Sequence, residues 1–456
     1  MGQQQNFYEE KMKKRFSNRY ILVFIALLIC ITGAALVSPD HCPDEGGRML
    51  LSDWIYNTGT LPTGFERETI NPGWEFSYAL RPYLSAIIAA MFMKAASLFS
   101  KSRDVLILAS RLGSCCAIAL CCFYALKLGH ILFKHHFSAI LFALIVCFLP
   151  QVQYLGMYQN NDSLALAATA MILFYLAEGY QNNWEIRSCL GLSVAFSIGL
   201  LSYYSIYGWI LAGFIWFAAA IIRSGIPDKK TFLLKRAALI ICICALLAGW
   251  FFIRNAILHN GDFFGLKSES VSRALAAEQG YDVRYSYNSF HNKGYSVIDF
   301  LLYQNFDWLR LTVKSFIGLF DYMTLLLPAN YYSFYYRFFI FFIMLYLSVI
   351  LNYKPSKRDI WFLSMLITAG FITFLLHFHQ SYHRDYQPQG RYVITIIFLL
   401  AYMASYSMDK ISSFISDRSG DPVSVILLTP GKIAAFFGYS LYLLLSLLCV
   451  LPKLIG

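Results

Sequence analysis

Charge is scarce in this chain. Only 14% of its 456 residues are Asp, Glu, Lys or Arg, against roughly 25% in a soluble domain. A chain of this length would divide into about three soluble domains, whose surfaces would need more charge than is present. Also absent are a C-x-x-C motif, internal repeats, low-complexity tracts and a small-residue cleavage site after the first apolar run. The first absence argues against zinc and redox chemistry. The composition excludes collagen, disorder and small disulfide scaffolds. The last absence predicts an uncleaved first span rather than a removed signal peptide.

What is present is apolar. Hydrophobic residues make up 58% of the chain, and the net charge is +11. Such surface faces lipid, so the excess of base could reflect topology, anionic lipid, nucleic acid or an acidic substrate. Of 11 cysteines, ten fall inside apolar runs and only Cys42 sits in a polar loop. That is the usage of small buried hydrophobes.

The pattern predicts an all-α polytopic membrane protein with about 11 transmembrane helices. Apolar runs lie near 20–38, 105–126, 136–150, 163–180, 188–204, 206–222, 237–253, 333–352, 360–378, 392–408 and 433–452. A further run, 82–100, fixes the side of every later loop. If it has both ends outside, the basic clusters fall on the cytoplasmic side. They are Lys127 with Lys134, Arg223 to Arg236, Lys354 to Arg358, and Lys410 with Arg418 and Lys432. They join Lys11, Lys13, Lys14, Arg15 and Arg19, and nearly all of the +11 excess becomes a topology signal rather than a nucleic-acid footprint. Run 82–100 is therefore expected to be juxtamembrane or re-entrant, although Lys101 and Arg103 at its exit argue the other way.

Residues 1–456 then form a single transmembrane domain, with outer loops 39–104, 151–162, 254–332 and 379–391 making one face. Loop 254–332 is expected to lie on the membrane as short amphipathic helices. The first loop opens with SPDHCPDEGGR, which puts Asp40, Asp44, Glu45 and Arg48 just past a span. Pro39 and Pro43 stiffen it. A carboxylate there suits a general base acting on a lipid-linked substrate; ordinary turn residues are the alternative. Asp162 of QNND is either a helix N-cap or a second carboxylate facing Asp44. In HRDYQPQGRY, residues 383–392, Gly390 lets the backbone turn. Arg391 either anchors the helix or holds a phosphate with its planar fork. Arg81, Arg111 and Arg254 are further bases at the rim, and Arg111 within a span should face a partner or cavity. His377, His379 and His383 suggest a metal only weakly, because no carboxylate but Asp385 completes the set.

The ordered motifs resemble the GT-C superfamily of integral-membrane glycosyltransferases, which use polyprenyl-phosphate-linked sugars. They are PDE at 43–45, Arg81-Pro82, NND at 160–162, FIRN at 252–255, GDFFG at 261–265 and QGRY at 389–392. The likeness covers nearly the whole chain and is strongest to a bacterial branch. It departs at Arg48, where that branch tends to carry histidine.

The resemblance implies that Asp44 is the general base, with Glu45 as runner-up or orienting residue. Asp162 would orient acceptor or sugar. Arg48, Arg81, Arg254 and Arg391, with Gln389 and Tyr392 of QGRY, would contact substrate or the departing phosphate. No metal is expected, though some members of the superfamily use a divalent cation. The implied activity is inverting transfer of a monosaccharide from a polyprenyl-phosphate carrier, undecaprenyl phosphate in bacteria. The acceptor would be a cell-surface or lipid-linked glycan, as in O-antigen modification of lipopolysaccharide, at the outer face of the bacterial inner membrane. Partners would be that donor, that acceptor and membrane lipid, with no nucleic acid. A flippase for a lipid-linked anionic substrate is the alternative, as is a non-catalytic envelope assembly protein.

Overall fold

Each of the eleven apolar runs is helical in the computed structural model, which describes residues 20–73, 75–278, 280, 289–418 and 422–455. The side chains of 416–418 and 422–437 are outside that description. So are the N-terminal bases Lys11 to Arg19 and the side chains of Arg418 and Lys432, on which part of the topology argument rests.

The chain runs α1 (Tyr20–Leu36), α2 (Glu45–Thr58), α3 (Leu84–Ala96), α4 (Arg103–Leu132), α5 (His136–Cys147), α6 (Pro150–Leu155), α7 (Asp162–Gln181), α8 (Ile186–Leu200) and α9 (Tyr207–Arg223). It continues as α10 (Lys229–Leu247), α11 (Gly249–Leu258), α12 (Ser268–Glu278), α13 (Val297–Leu302), α14 (Asp307–Gly318), α15 (Ala329–Asn352), α16 (Lys357–His383), α17 (Ile397–Arg418) and α18 (Pro422–Leu454). Among the described residues, strands occur as two short antiparallel hairpins. In the first, β1 (Ile70–Asn71) pairs with β2 (Phe76–Ser77), Ile70 opposite Ser77. In the second, β3 (Leu319–Phe320) pairs with β4 (Leu325–Leu326), Leu319 opposite Leu326.

Among the described residues six helices are long and apolar enough to cross by length and composition, or seven if α10 and α11, bent by 53° at Ala248, form one span, against the eleven expected. Helices α1, α3, α5, α8 and the described end of α18 are shorter. At 1.5 Å per residue, α5 is about 18 Å long, against about 30 Å of bilayer core. Pro150 explains α5: it pushes Leu149 out of helical geometry and restarts the chain as α6.

Helix α7 is the centre of the bundle and packs on α4, α8 and α9. Its sequence is rich in Ala and Leu, and nearly all of it is buried. Helices α10 and α15 lie at the edge, where Leu246, Ile340 and Met344 are exposed. An apolar rim of that kind is stable against lipid tails.

The loops divide into two groups. Loop residues near 131–135, 358–359 and 409–410 meet one another. Arg358 donates to the carbonyl of Leu132 at 3.2 Å, and His135 N–H donates to Asp409 at 2.8 Å. Lys410 lies 3.9 Å from Asp359. All four loops read as outer meet elsewhere, around one cavity. The exit of run 82–100 belongs with this second group, because Arg103 pairs in a fork with Asp53 of α2 at 2.8 and 2.9 Å. That contact accounts for the basic residue that argued against a non-spanning α3.

Candidate active site

The four loops supply the walls of a cavity of about 210 Å³. Asp44 comes from the first, Tyr154 and Tyr158 from the second, Ser315, Asp321 and Tyr322 from the third, and Gln389 with Arg391 from the fourth.

Asp44 is the residue before α2, in left-handed backbone at φ 63° and ψ 0°. Few non-glycine residues adopt it, and aspartate is among the more tolerant. Its side chain makes no capping bond to α2. Instead Oδ2 accepts from Arg391 Nη2 at 2.5 Å, and only 12% of the Asp44 side chain is exposed.

Arg391 is set by a close approach of backbones. Gly390 packs so tightly on α14 that a Cβ there would lie 2.1 Å from the Phe316 nitrogen and 2.5 Å from the Thr312 carbonyl oxygen. The sequence reading gave Gly390 a turn; its physical role is this contact. The same Arg391 Nη2 donates to the Tyr392 hydroxyl at 3.1 Å, and Tyr392 donates to Gln387 at 2.5 Å. Nε and Nη1 of Arg391 are buried without a hydrogen-bond partner.

Asp162 is the first residue of α7, and Asn161 is its N-cap. The N-cap reading of Asp162 is thus corrected: Asn160 Oδ1 accepts from the Ser163 N–H at 2.9 Å, and neither carboxylate oxygen of Asp162 has a hydrogen-bond partner. Asp162 is 1% exposed. Arg391 and Arg48 attract its charge and Asp44 repels it. A buried carboxylate without hydrogen bonds is costly, so its neighbours are the guanidinium groups.

Arg48 is 4% exposed, and its Nε has no partner. Its guanidinium lies 5.0 Å from the Tyr78 ring and 5.8 Å from the Tyr203 ring. Burial opposes its charge, but Tyr78 and Asp44 more than offset that and leave its pKa above the ordinary arginine value. Tyr203 stacks on Tyr392 at 6.0 Å. Burial, together with Asp44, raises the Tyr78 phenol. Asp44, Asp162, Arg48 and Arg391 thus sit around a wall of tyrosines.

Other expected residues fall elsewhere. Glu45 is fully buried and bound by Arg111, 2.9 Å from Nε to Oε1 and 2.5 Å from Nη2 to Oε2. The Gln159 N–H also donates to Oε1 at 2.8 Å. A catalytic Glu45 is therefore corrected to a structural one, since its oxygens are committed inside the protein. Arg81 pairs with Glu269 of α12 at 2.9 Å and lies over Phe76, and Glu269 also pairs with Arg273 at 3.1 Å. Arg254 donates to the Leu61 carbonyl at 2.9 Å through Nη2, and its Nη1 is buried without a hydrogen-bond partner. Gln389 lines the cavity.

His377 is buried and stacked on Trp308 at 5.1 Å. His379 and His291 both lie beside His383, at 4.5 and 4.6 Å between ring centres. Among the described residues no group of three or more His, Cys, Asp or Glu side chains converges to hold an ion.

The sequence reading missed Asp321, between β3 and β4. Its Oδ1 lies 3.3 Å from His41 Nδ1, and Thr324 donates to Oδ2. Its backbone N–H donates to Tyr154 at 3.2 Å. The hairpin's positive φ at Asp321 and Met323 was the available clue only once coordinates existed.

The fold is that of the GT-C membrane glycosyltransferases. The oligosaccharyltransferase of Archaeoglobus fulgidus, tethered with an acceptor peptide containing the NVT sequon, superimposes with a TM-score of 0.56 at 14% identity over 93% of this chain and 54% of its own. ArnT from Cupriavidus metallidurans, bound to undecaprenyl phosphate, superimposes with a TM-score of 0.55 at 14% identity over 96% of this chain and 73% of its own. The chain spans about half the length of the first and about three quarters of the second. No protein-family model matches it, and no curated protein matches its sequence.

Proposed function

We propose that the protein is an inverting glycosyltransferase that moves a monosaccharide from a polyprenyl-phosphate carrier to a glycan or lipid-linked glycan. The observation that carries this reading is the Asp44–Arg391 pair at the rim of a tyrosine-lined cavity, with Asp162 and Arg48 beside it.

In the reaction, an acceptor hydroxyl attacks the anomeric carbon from the face opposite the phosphate. Asp44 takes the hydroxyl proton. The new C–O bond forms as the bond to the phosphate oxygen breaks, and polyprenyl phosphate leaves with its electron pair. Developing charge on that oxygen needs preorganised donors. Arg391 has two unpartnered donor atoms and Arg48 has one. A phosphate arriving there competes with Asp44 for Arg391, and Asp44 regains its basicity as the donor binds. Asp162, without hydrogen bonds of its own, orients acceptor or sugar hydroxyls. Asp321 faces the same cavity and does so from the hairpin side. By this reading the protein is a multi-pass inner-membrane enzyme of bacteria, with the cavity on the outer face and the N-terminus in the cytoplasm.

The test is chemical analysis of surface polysaccharide with and without the gene. Loss of one sugar residue on deletion, restored by the intact chain, supports the reading. Unchanged glycan chemistry, with movement of an intact lipid-linked substrate across vesicles, overturns it in favour of a flippase.

A further inference from the structure

We propose that Arg111 is a positioning residue for Asp44, acting through Glu45; the inference rests on the reading of Asp44 as the general base. Arg111 lies within α4, where a charge must be compensated. The guanidinium has five N–H donors, and all of them are used. Nε and Nη2 hold Glu45 in a fork at 2.9 and 2.5 Å. Nη1 donates to the carbonyls of Ala34 and Val37 at 2.9 and 2.7 Å, and Nη2 also reaches Cys42 Sγ at 3.4 Å. Arg111 is 2% exposed and Glu45 is 0% exposed.

Those bonds join four pieces of chain: the end of α1, the 38–44 loop, the start of α2 and α4 itself. Glu45 is covalently next to Asp44, so the fork fixes one side of the strained left-handed residue. The Glu45 N–H donates to the Cys42 carbonyl at 3.1 Å and closes the other side. The second acidic loop is fixed by the same carboxylate. Glu45 Oε1 takes the Gln159 N–H at 2.8 Å, three residues before Asp162, and Gln159 Nε2 donates to Ser52 at 2.5 Å. One buried ion pair therefore sets Asp44 and Asp162 in register with each other. Burying an ion pair is a poor way to gain stability alone, since apolar side chains of similar volume often do as well. Its geometric consequence is the fixed spacing of two carboxylates. Catalytic geometry is sensitive to that: a misplacement of about 1 Å costs about 100-fold.

The test is a double-mutant cycle in membranes of the producing cell. The rate is read as polyprenyl phosphate released from the cell's own polyprenyl-phosphate sugars on addition of acceptor glycan. Arg111→Lys keeps the charge and loses the fork. It is expected to lower kcat by about 10- to 100-fold while the acceptor KM stays within about twofold. In an Asp44→Asn background the same change should cost distinctly less, because one of the two carboxylates it positions is gone. A purely structural role lowers both backgrounds equally and overturns the inference. So does wild-type kcat in Arg111→Lys. If Arg111→Lys does not accumulate, Glu45→Gln in the two backgrounds gives the same contrast. Full transfer in Asp44→Asn alone would instead sink the assignment of the base, and is thereby told apart from failure of the clamp.

Discussion

Arg391 donates to Asp44 at 2.5 Å across 347 positions of sequence. This bond joins the first and last of the four loops at the cavity and, on the proposed mechanism, puts a cation where the phosphate would depart. Arg391→Lys keeps the charge but loses the planar fork. Undecaprenyl phosphate binding should weaken by about tenfold, and transfer should fall by about 10- to 100-fold. Binding by calorimetry of the purified protein checks the first figure. Unchanged affinity would detach Arg391 from the phosphate.

Asp162 is a buried carboxylate whose oxygens lack hydrogen bonds. Sites tuned for function often cost stability. Asp162→Asn should therefore leave the thermal midpoint unchanged or raise it by a few degrees. Transfer should drop by about 100-fold. A large fall in melting temperature would make Asp162 structural.

Arg81, Glu269 and Arg273 tie α12 to the start of run 82–100. Burial raises the Glu269 pKa, but Arg81 and Arg273 outweigh it and hold the carboxyl below its ordinary value. A depressed folded pKa gives stability that is present above the unfolded value, about 4.3, and is lost as pH falls through the folded one. The protection factor of 268–278 against hydrogen exchange should hold at neutral pH and fall below about pH 4. In Glu269→Gln the protection should be lower at neutral pH and insensitive to acid in this range.

Gly390 has no room for a methyl group, since a Cβ would meet α14 backbone at 2.1 Å. Backbone atoms cannot rotate away as a flexible side chain does. Gly390→Ala should destabilise by about 1–3 kcal/mol and reduce transfer by displacing Arg391. A melting curve and a rate that both match wild type would contradict the packing argument.

Much of the architecture was legible because lipid imposes long apolar runs and sorts basic loops. Lys and Arg counts grouped the loops in the sequence, and in the structure Arg103 of the 82–100 exit forks onto Asp53 of α2. Helix length alone gives six or seven spans among the described residues, because breaks such as those at Pro150 and beside Gly249 shorten individual helices. In the site, PDE and QGRY located Asp44 and Arg391, but no pattern pairs residues so far apart in sequence. Asp44 and Glu45 are adjacent and chemically alike. Only tertiary packing sends one to the cavity and the other to Arg111. The bond from Arg254 to the Leu61 carbonyl joins residues 193 positions apart and was likewise invisible in the sequence. The pairing of Glu269 and Arg273 was readable as an i,i+4 pair on an amphipathic segment. Asp321 was not, because a two-residue strand carries no periodicity.

The central claim is that Asp44 removes the acceptor proton. Asp44→Asn is nearly isosteric and can still accept from Arg391 through its amide oxygen, so the site should remain assembled. The measurement is the transfer rate of this variant in membranes, at matched expression and with undecaprenyl phosphate binding retained. The account predicts a loss of about 10²- to 10⁴-fold. Transfer at the wild-type rate would contradict it.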